Sequence, residues 1–592
     1  MRSSERFRGL LQRLCAGAIV LTSADPSEAV DVQVDPNTRY QTLKGWESIL
    51  SGFEVNESDG SYSPAWVQSA PKIMSYLVNE MGINRVRIEL PSGSENPVDY
   101  FARFQAGQLD YDGMKAHFYD KINDNGDPNV ADLGGFHFGL PDFRIENELL
   151  PIKRAVEQNG EKLYISVCYV DFNGNSQGSL RHGTTPAEYA ELVSVFFDHL
   201  KTKYGITPDA LEIILEPENT ADWNDGGNVG RGAVAAAARL RAGGYDPEFI
   251  APSTVSAANA VPFFNAAVAV NGAASLFSML SYHRYSSGDY AAIYQAARAR
   301  GVQTGMLEFF TASVDDLVQD LTVANVSAWE KYAIAAPNPN SDYAYLYANV
   351  SNPANPVVSF GAKAAQMMPY FRFARLGAVR VGATSSSGGV TPVAFVNTNA
   401  TQVLVLKGDA AELTVRGMKD AVYGVRSVAN DGRVTNGADI TASAGVINVT
   451  VPAGVTAIYD KNSTRGGSGG TGGTSGTGGA PGTGGASGTG GTSGGGNAGS
   501  GGSQNSSGGT GDAGVTGGSS GAGSGTGGRS STGGAAASTP DGGNGVPASP
   551  AEDSGCGCRL PGSKPPVRLL LLSLAGVCLA VARFARRRHA AR

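Results

Sequence analysis

Eight short apolar runs, separated for the most part by helix-patterned stretches, occupy the first three quarters of residues 30–462 and leave few folds open. They are Thr42–Trp46, Val86–Leu90, Leu163–Val167, Leu211–Leu215, Phe249–Pro252, Leu280–His283, Gly305–Leu307 and Ala328–Ile334. Helical spacing is plainest in Pro186–Tyr204, where Tyr189, Leu192, Val193, Phe196, Phe197 and Leu200 recur every three or four positions. Strands joined by helical crossovers run parallel, and eight such units over roughly 300 residues close into a (β/α)8 barrel. The last hundred residues of the window change character, with short alternating runs broken by Gly, Asn and Asp, the pattern of an all-β domain. The expected fold class is α/β: a TIM barrel with a side β-sandwich.

What lies outside that window cannot add to its core. Residues Lys461–Pro550 hold 37 of the chain's 81 glycines, no aromatic side chain and only five charged ones, so they bury nothing and read as a disordered Gly/Ser/Thr-rich linker. Within Val30–Asn462, 32 Lys and Arg stand against 46 Asp and Glu, a net charge of −14 that argues against a nucleic-acid partner. Cys168 is the only cysteine of that window, which excludes an internal disulfide and a cysteine-type zinc site there.

The two ends read as addresses. Arg2, Arg6, Arg8 and Arg13 precede the apolar run Leu14–Leu21 and small residues up to Ala29, the pattern of a secretory signal. At the other end Cys556 and Cys558 precede the apolar Leu569–Ala582 and then Arg583, Arg586, Arg587, Arg588 and Arg592. Fourteen apolar residues suit either a membrane helix or an interfacial one, and the arginines would hold the terminus on the cytoplasmic side. The expected divisions are 1–29 signal peptide, 30–42 a strand joining the sandwich, 43–360 barrel, 361–462 sandwich, 463–554 linker and 555–592 tail.

In such a barrel, chemistry sits where strands end and loops begin. Two strands run directly into glutamate there, Leu215-Glu216-Pro217 at the fourth and Leu307-Glu308-Phe309 at the seventh. Glycosidic cleavage needs one carboxyl group to protonate the leaving oxygen and one carboxylate to meet the oxocarbenium-like carbon. Two glutamates converging over a barrel mouth supply both. For either alone, a strand cap or an arginine partner is the ordinary role. Trp46, Trp223 and Trp329, three of four tryptophans, lie near strand ends and are candidates to stack on sugar faces. His283 and Tyr285 alternate along one strand and so face the same side. Asn123-Asp124-Asn125-Gly126-Asp127 looks like the start of a calcium loop, but no glutamate stands at the twelfth position, so it reads as a polar turn. No cofactor or metal is called for.

These residues resemble the retaining glycoside hydrolases of clan A, most closely glycoside hydrolase family 30 and its relatives. The likeness rests on Val32–Asp35 with Tyr40–Glu47, on Gly82–Leu90, on Glu216-Pro217 and Glu308, on Ser281–Tyr285 and Ser327–Trp329, and on Phe371–Arg380 and Val451–Val455. It implies that Glu216 is the acid/base and Glu308 the nucleophile, that Arg87 reaches the catalytic centre as the positive partner expected to lower the Glu308 carboxyl, and that His283 or Tyr285 lies beside the nucleophile. Two departures stand out. Leu215 occupies the place of the family's asparagine before the acid/base, with Asn219 and Asn224 the nearest replacement donors, and Tyr169-Val170-Asp171-Phe172 replaces a Trp-rich run, making Tyr169 and Asp171 substrate-binding candidates. The tail resembles the sorting signals of myxobacterial surface proteins. Together these imply an exported, surface-tethered retaining glycosidase, a monomer with a carbohydrate substrate, attached to membrane through its tail. The alternative is a barrel that binds glycan without cutting it.

Overall fold

The computed structural model describes residues 29–463, except 52–53, 57–58, 173–179 and 338–341. The signal, linker and tail expectations, and part of the loop after Val170, lie outside the described residues. Among the described residues no helix is long and apolar enough to cross a membrane.

The chain opens with β1 (Val30–Thr42), then enters the barrel strands β2 (Gly45–Ile49), β3 (Arg85–Pro91), β4 (Tyr164–Val170), β5 (Ala210–Glu212), β6 (Glu248–Ser256), β7 (Phe277–Ser286), β8 (Gln303–Met306) and β9 (Val326–Ala336). Each pairs in parallel with the next, and β9 pairs with β2 through Gly45↔Ala328 and Trp46↔Trp329, which closes the cylinder. All eight expected runs fall in or beside these strands. β10 (Ala344–Asn349) and β11 (Val357–Phe360) extend the sheet beyond β9.

Strands covered on both faces read as continuous apolar runs, and every residue of β4 and β9 is buried. Inside the barrel, Tyr164, Ala210, Ile250, Met279, Leu307 and Ala328, from six consecutive strands or their ends, form one packed layer. The expected helix Pro186–Tyr204 is present with both ends as read, because Pro186 suits the first helical turn and Gly205, at φ 66°, takes the left-handed position that ends it.

The second sheet contains β12 (Val379–Ser385), β13 (Val390–Val396), β14 (Gln402–Gly408), β15 (Ala411–Arg416), β16 (Val422–Val428), β17 (Val434–Asn436), β18 (Ile440–Thr441), β19 (Val446–Val451) and β20 (Gly454–Asp460), with β1 between β12 and β15. Residues far apart in its strand order, such as Ile447 on β19 and Ile458 on β20, share one apolar cluster. The stretch 361–462 opens with a helix, Ala362–Phe373, and its strands begin at Val379. That helix joins barrel to sheet: the Trp46 ring stacks on Phe371 at 4.4 Å, and Trp46 Nε1 donates to Ala374 O at 2.7 Å. Gly82 is required at this seam, since φ is 103° and a Cβ would meet Phe371 O at 2.5 Å.

Candidate active site

The ladder of β5 ends at Glu212, three residues short of the expected Leu215. Beyond it the chain is held from both sides: Ile213 N donates to Ile250 O, Leu215 N to Tyr169 O and Glu216 N to Ser253 O. Glu216 itself takes φ 47° and ψ 64°, a left-handed conformation uncommon for a residue with a Cβ. Strain of that kind persists only where surroundings over-determine it, and it marks functional sites. Here it sets the carboxylate against β7, with Oε1 2.9 Å from His283 Nδ1 and Oε2 accepting from Asn219 Nδ2 at 2.8 Å.

Glu308 lies just past β8. Its Oε2 accepts from Arg87 Nη2 at 2.5 Å and its Oε1 from the Tyr285 hydroxyl at 2.8 Å. Arg87 also donates to Leu307 O at 2.9 Å, so β3 fixes both the glutamate and its backbone. One oxygen each of Glu216 and Glu308 and a ring nitrogen of His283 all lie within 4.8 Å of one another. Both carboxylates sit below the surface, with Glu216 wholly buried and Glu308 2 % exposed.

Burial dominates the protonation of this group. It pushes the Glu308 carboxyl above the ordinary glutamate range, although Arg87 and His283 pull it down. Sequence reasoning expects the opposite direction, because it counts the arginine and cannot see the desolvation. Burial opposes the His283 imidazolium, yet Glu308 and the bond to Glu216 outweigh it, so the histidine holds its proton above its usual range. The three groups could surround a metal ion geometrically, but Arg87 already places a cation on Glu308 and His283 is already bonded to Glu216.

Of the sequence candidates, Glu216, Glu308, Arg87, Asn219, His283 and Tyr285 come together. Five do not reach the pair. Trp46, Trp223 and Trp329 are buried core residues with no ring face free for a sugar: Trp46 stacks on Phe371, Trp329 donates to Asp320 at 2.9 Å, and Trp223 packs against Tyr169 and Tyr189. Tyr169 is fully buried with its hydroxyl 2.7 Å from His182 Nδ1, and Asp171 is consumed by an ion pair with Lys121 at 2.5 Å. Leu215 packs with Cys168 and Val170 and offers no donor, while Asn219 serves Glu216 and not Glu308. Glu218, two residues beyond Glu216, instead accepts from Val255 N of β6 at 3.0 Å and from Asn259 Nδ2 of the helix Ala257–Val268 at 3.2 Å.

Two groups escaped the sequence reading. Phe309 and Phe310, directly after Glu308, flank Tyr285 with ring centroids at 5.9 and 5.1 Å, and their place in sequence was the available signal. Glu330 lies 3.7 Å from Arg87, wholly buried, with neither oxygen hydrogen-bonded, and burial pushes its carboxyl well above the ordinary range. A separate cavity of about 50 Å³, bordered by Asp99, Tyr100, His117 and His137, contains none of the candidate residues.

No protein-family model matches the chain, and no curated protein matches it. Solved structures do. The catalytic domain of GH30 xylanase C from Talaromyces cellulolyticus superposes with a TM-score of 0.53 at 15% identity, over 72% of this chain and 99% of that one. A conserved exported protein from Bacteroides fragilis gives 0.52 at 11% identity, over 72% and 99%. A GH30 endoxylanase from Clostridium papyrosolvens C71 gives 0.50 at 15% identity, over the same shares. The chain therefore has the fold of these proteins, a closed eight-stranded barrel with a separate β-sheet domain.

Proposed function

We propose that the protein is an exported, surface-tethered retaining O-glycoside hydrolase that cleaves a β-linked polysaccharide or glycoconjugate by double displacement. The observation that carries this reading is the Glu216–Glu308 pair, set at the ends of β5 and β8 with oxygens within 4.8 Å. Retaining enzymes hold their two carboxyl groups about 5–5.5 Å apart, inverting ones about 6.5–9.5 Å. The shared fold with two GH30 xylanases supports the same reading and makes xylan the first substrate to try.

In this mechanism Glu308 attacks the anomeric carbon as the bond to the leaving oxygen breaks, and Glu216 gives that oxygen its proton. Water then attacks the glycosyl–Glu308 ester, losing its proton to Glu216, and Glu308 leaves as carboxylate. Arg87 and Tyr285 hold Glu308 and stabilise its ionised form. His283 shares a proton with Glu216 and keeps it in reach of the leaving group. Leu215 favours the alternative of a weakened or inactive glycan-binding barrel, because a packed aliphatic side chain stands where a donor to the sugar is expected.

The full chain is assayed on xylans, β-glucans, galactans and aryl β-glycosides beside its Glu216→Gln and Glu308→Gln forms. Turnover abolished in both variants supports the hydrolase. Glycan binding retained by all three proteins, with no turnover by any, supports the binding barrel.

A further inference from the structure

A second acidic group lies away from the catalytic pair. Glu95 follows β3, Asp124 belongs to the long loop after it, and Glu188 sits in the first turn of helix Pro186–Tyr204. One carboxylate oxygen of each lies within 4.8 Å of the other two. Surface acids repel one another and turn outward, but these do not. Glu95 is wholly buried, and Glu95 Oε1, Asp124 Oδ1 and Glu188 Oε2 are each buried without a hydrogen-bond partner. A fourth acid, Glu191, is one helical turn beyond Glu188 and also carries a buried, unpartnered oxygen. Burial, then Asp124, pushes its carboxyl up to about 7.

The other oxygen of each of the three is held by an ordinary hydrogen bond. Glu95 Oε2 is 2.8 Å from His182 Nε2, Asp124 Oδ2 accepts from Asp132 N at 2.5 Å and Asn125 Nδ2 at 2.7 Å, and Glu188 Oε1 accepts from Asn123 Nδ2 at 3.4 Å. Gly135 lets Asp124 pack inward, since a Cβ there would come within 2.3 Å of the Asp124 Cβ. On the positive side, Arg239 pairs with Glu191 at 3.1 Å and His182 touches Glu95. One arginine and one histidine against four carboxylates leave the group short of positive charge. Three carboxylates converging from three separate segments, each carrying a buried and unpartnered oxygen, match a hard divalent cation.

We propose that Glu95, Asp124 and Glu188 form a calcium site that fastens the loop after β3 to the helix after β4. The ligand set differs from the calcium-loop pattern of Asn123–Asp127. Of that run only Asp124 brings a carboxylate oxygen to the group, and Asp127 is spent on Asn129, so the linear motif does not hold the ion. The chain Glu95–His182–Tyr169 runs from the site to β4, where Tyr169 O accepts from Leu215 N, so loss of the cation would loosen that strand end. The proposal does not depend on the roles of Glu216 and Glu308.

The test is metal analysis of the full chain after removal of divalent ions with EDTA and equilibrium dialysis against calcium chloride, with thermal melting in both states. The expected result is one calcium per chain, a higher melting midpoint with calcium, and at least tenfold weaker binding in Asp124→Asn and Glu188→Gln. No bound calcium at millimolar concentration, an unchanged midpoint, or wild-type affinity in the folded variants overturns the proposal. A midpoint that follows pH but not calcium also overturns it, and assigns the excess charge to a proton on Glu191. Where the variants do not fold, an anomalous-difference map of lanthanide-soaked wild-type crystals decides. Density among Glu95, Asp124 and Glu188 supports the site, and density only elsewhere refutes it.

Discussion

Replacing Tyr285 by phenylalanine removes a single oxygen from the centre. That hydroxyl donates to Glu308 Oε1 at 2.8 Å, while Arg87 serves the other oxygen at 2.5 Å. A hydrogen bond to a charged acceptor contributes about 1.5–3 kcal/mol, which at ~1.4 kcal/mol per decade is roughly a 10- to 150-fold change in rate. Tyr285 is only half-buried, so water can replace part of the bond, and the lower end applies: a fall of roughly tenfold in kcat/KM. The donor favours ionised Glu308, so its loss also raises the acid limb of the pH profile, by about one unit for each ~1.36 kcal/mol. The ring stays packed between Phe309 and Phe310, and stability falls by less than ~1 kcal/mol. The assay is kcat/KM against pH for both forms on the best substrate of the panel, with urea unfolding alongside. An unchanged kcat/KM together with an unmoved acid limb would refute the claim that Tyr285 holds the nucleophile ionised.

The wild-type pH profile is expected to be a bell. Activity should be lost as pH falls through the raised value of Glu308, above the ordinary 4.5, and again as the His283 proton departs above the ordinary 6.5 of histidine; a profile flat from pH 4 to 9 contradicts this assignment. Trp46→Ala should cost about 3–5 kcal/mol in denaturant unfolding, because a fully buried indole stacked on Phe371 leaves a cavity at the seam of the two sheets; a loss under ~1 kcal/mol would show that the seam repacks. Glu330→Gln tests the buried acid beneath Arg87. With the folded value raised above the unfolded one, the wild type gains stability at low pH and loses it as pH rises through the raised value, by up to ~1.4 kcal/mol per unit, and the amide removes that slope. Destabilisation of about 3–5 kcal/mol at neutral pH would instead mean that an ionised Glu330 pairs with Arg87.

The barrel was legible because its strands are buried on both faces and its helices carry start and stop residues, as Pro186 and Gly205 do. The first barrel strand begins at Gly45 and not Thr42, because β1 continues to Thr42 and Gly45, at φ 116°, redirects the chain. Glu216 and Glu308 were readable from their places just past strand ends, and Arg87 only from the resemblance of Gly82–Leu90 to the family's second strand. Burial was not. Glu212 and Glu330 are charged residues within strands, which in an isolated strand would mean a solvent face, whereas here both are wholly buried. The same blindness made platforms of three tryptophans that are in fact core, and gave Glu308 a lowered carboxyl where desolvation raises it. The acid group at Glu95 was invisible for another reason, since its members come from three segments that only the fold brings together.

The central claim is that Glu308 forms a covalent bond to the sugar while Glu216 moves the proton. Incubating the full chain with activated 2-deoxy-2-fluoro β-glycosides and mapping the labelled peptide by mass spectrometry tests it directly. The account predicts a mass increase of one fluorosugar on the peptide bearing Glu308, absent in Glu308→Gln. A label on another carboxylate, or no label on a chain that does turn over the parent glycoside, would contradict it.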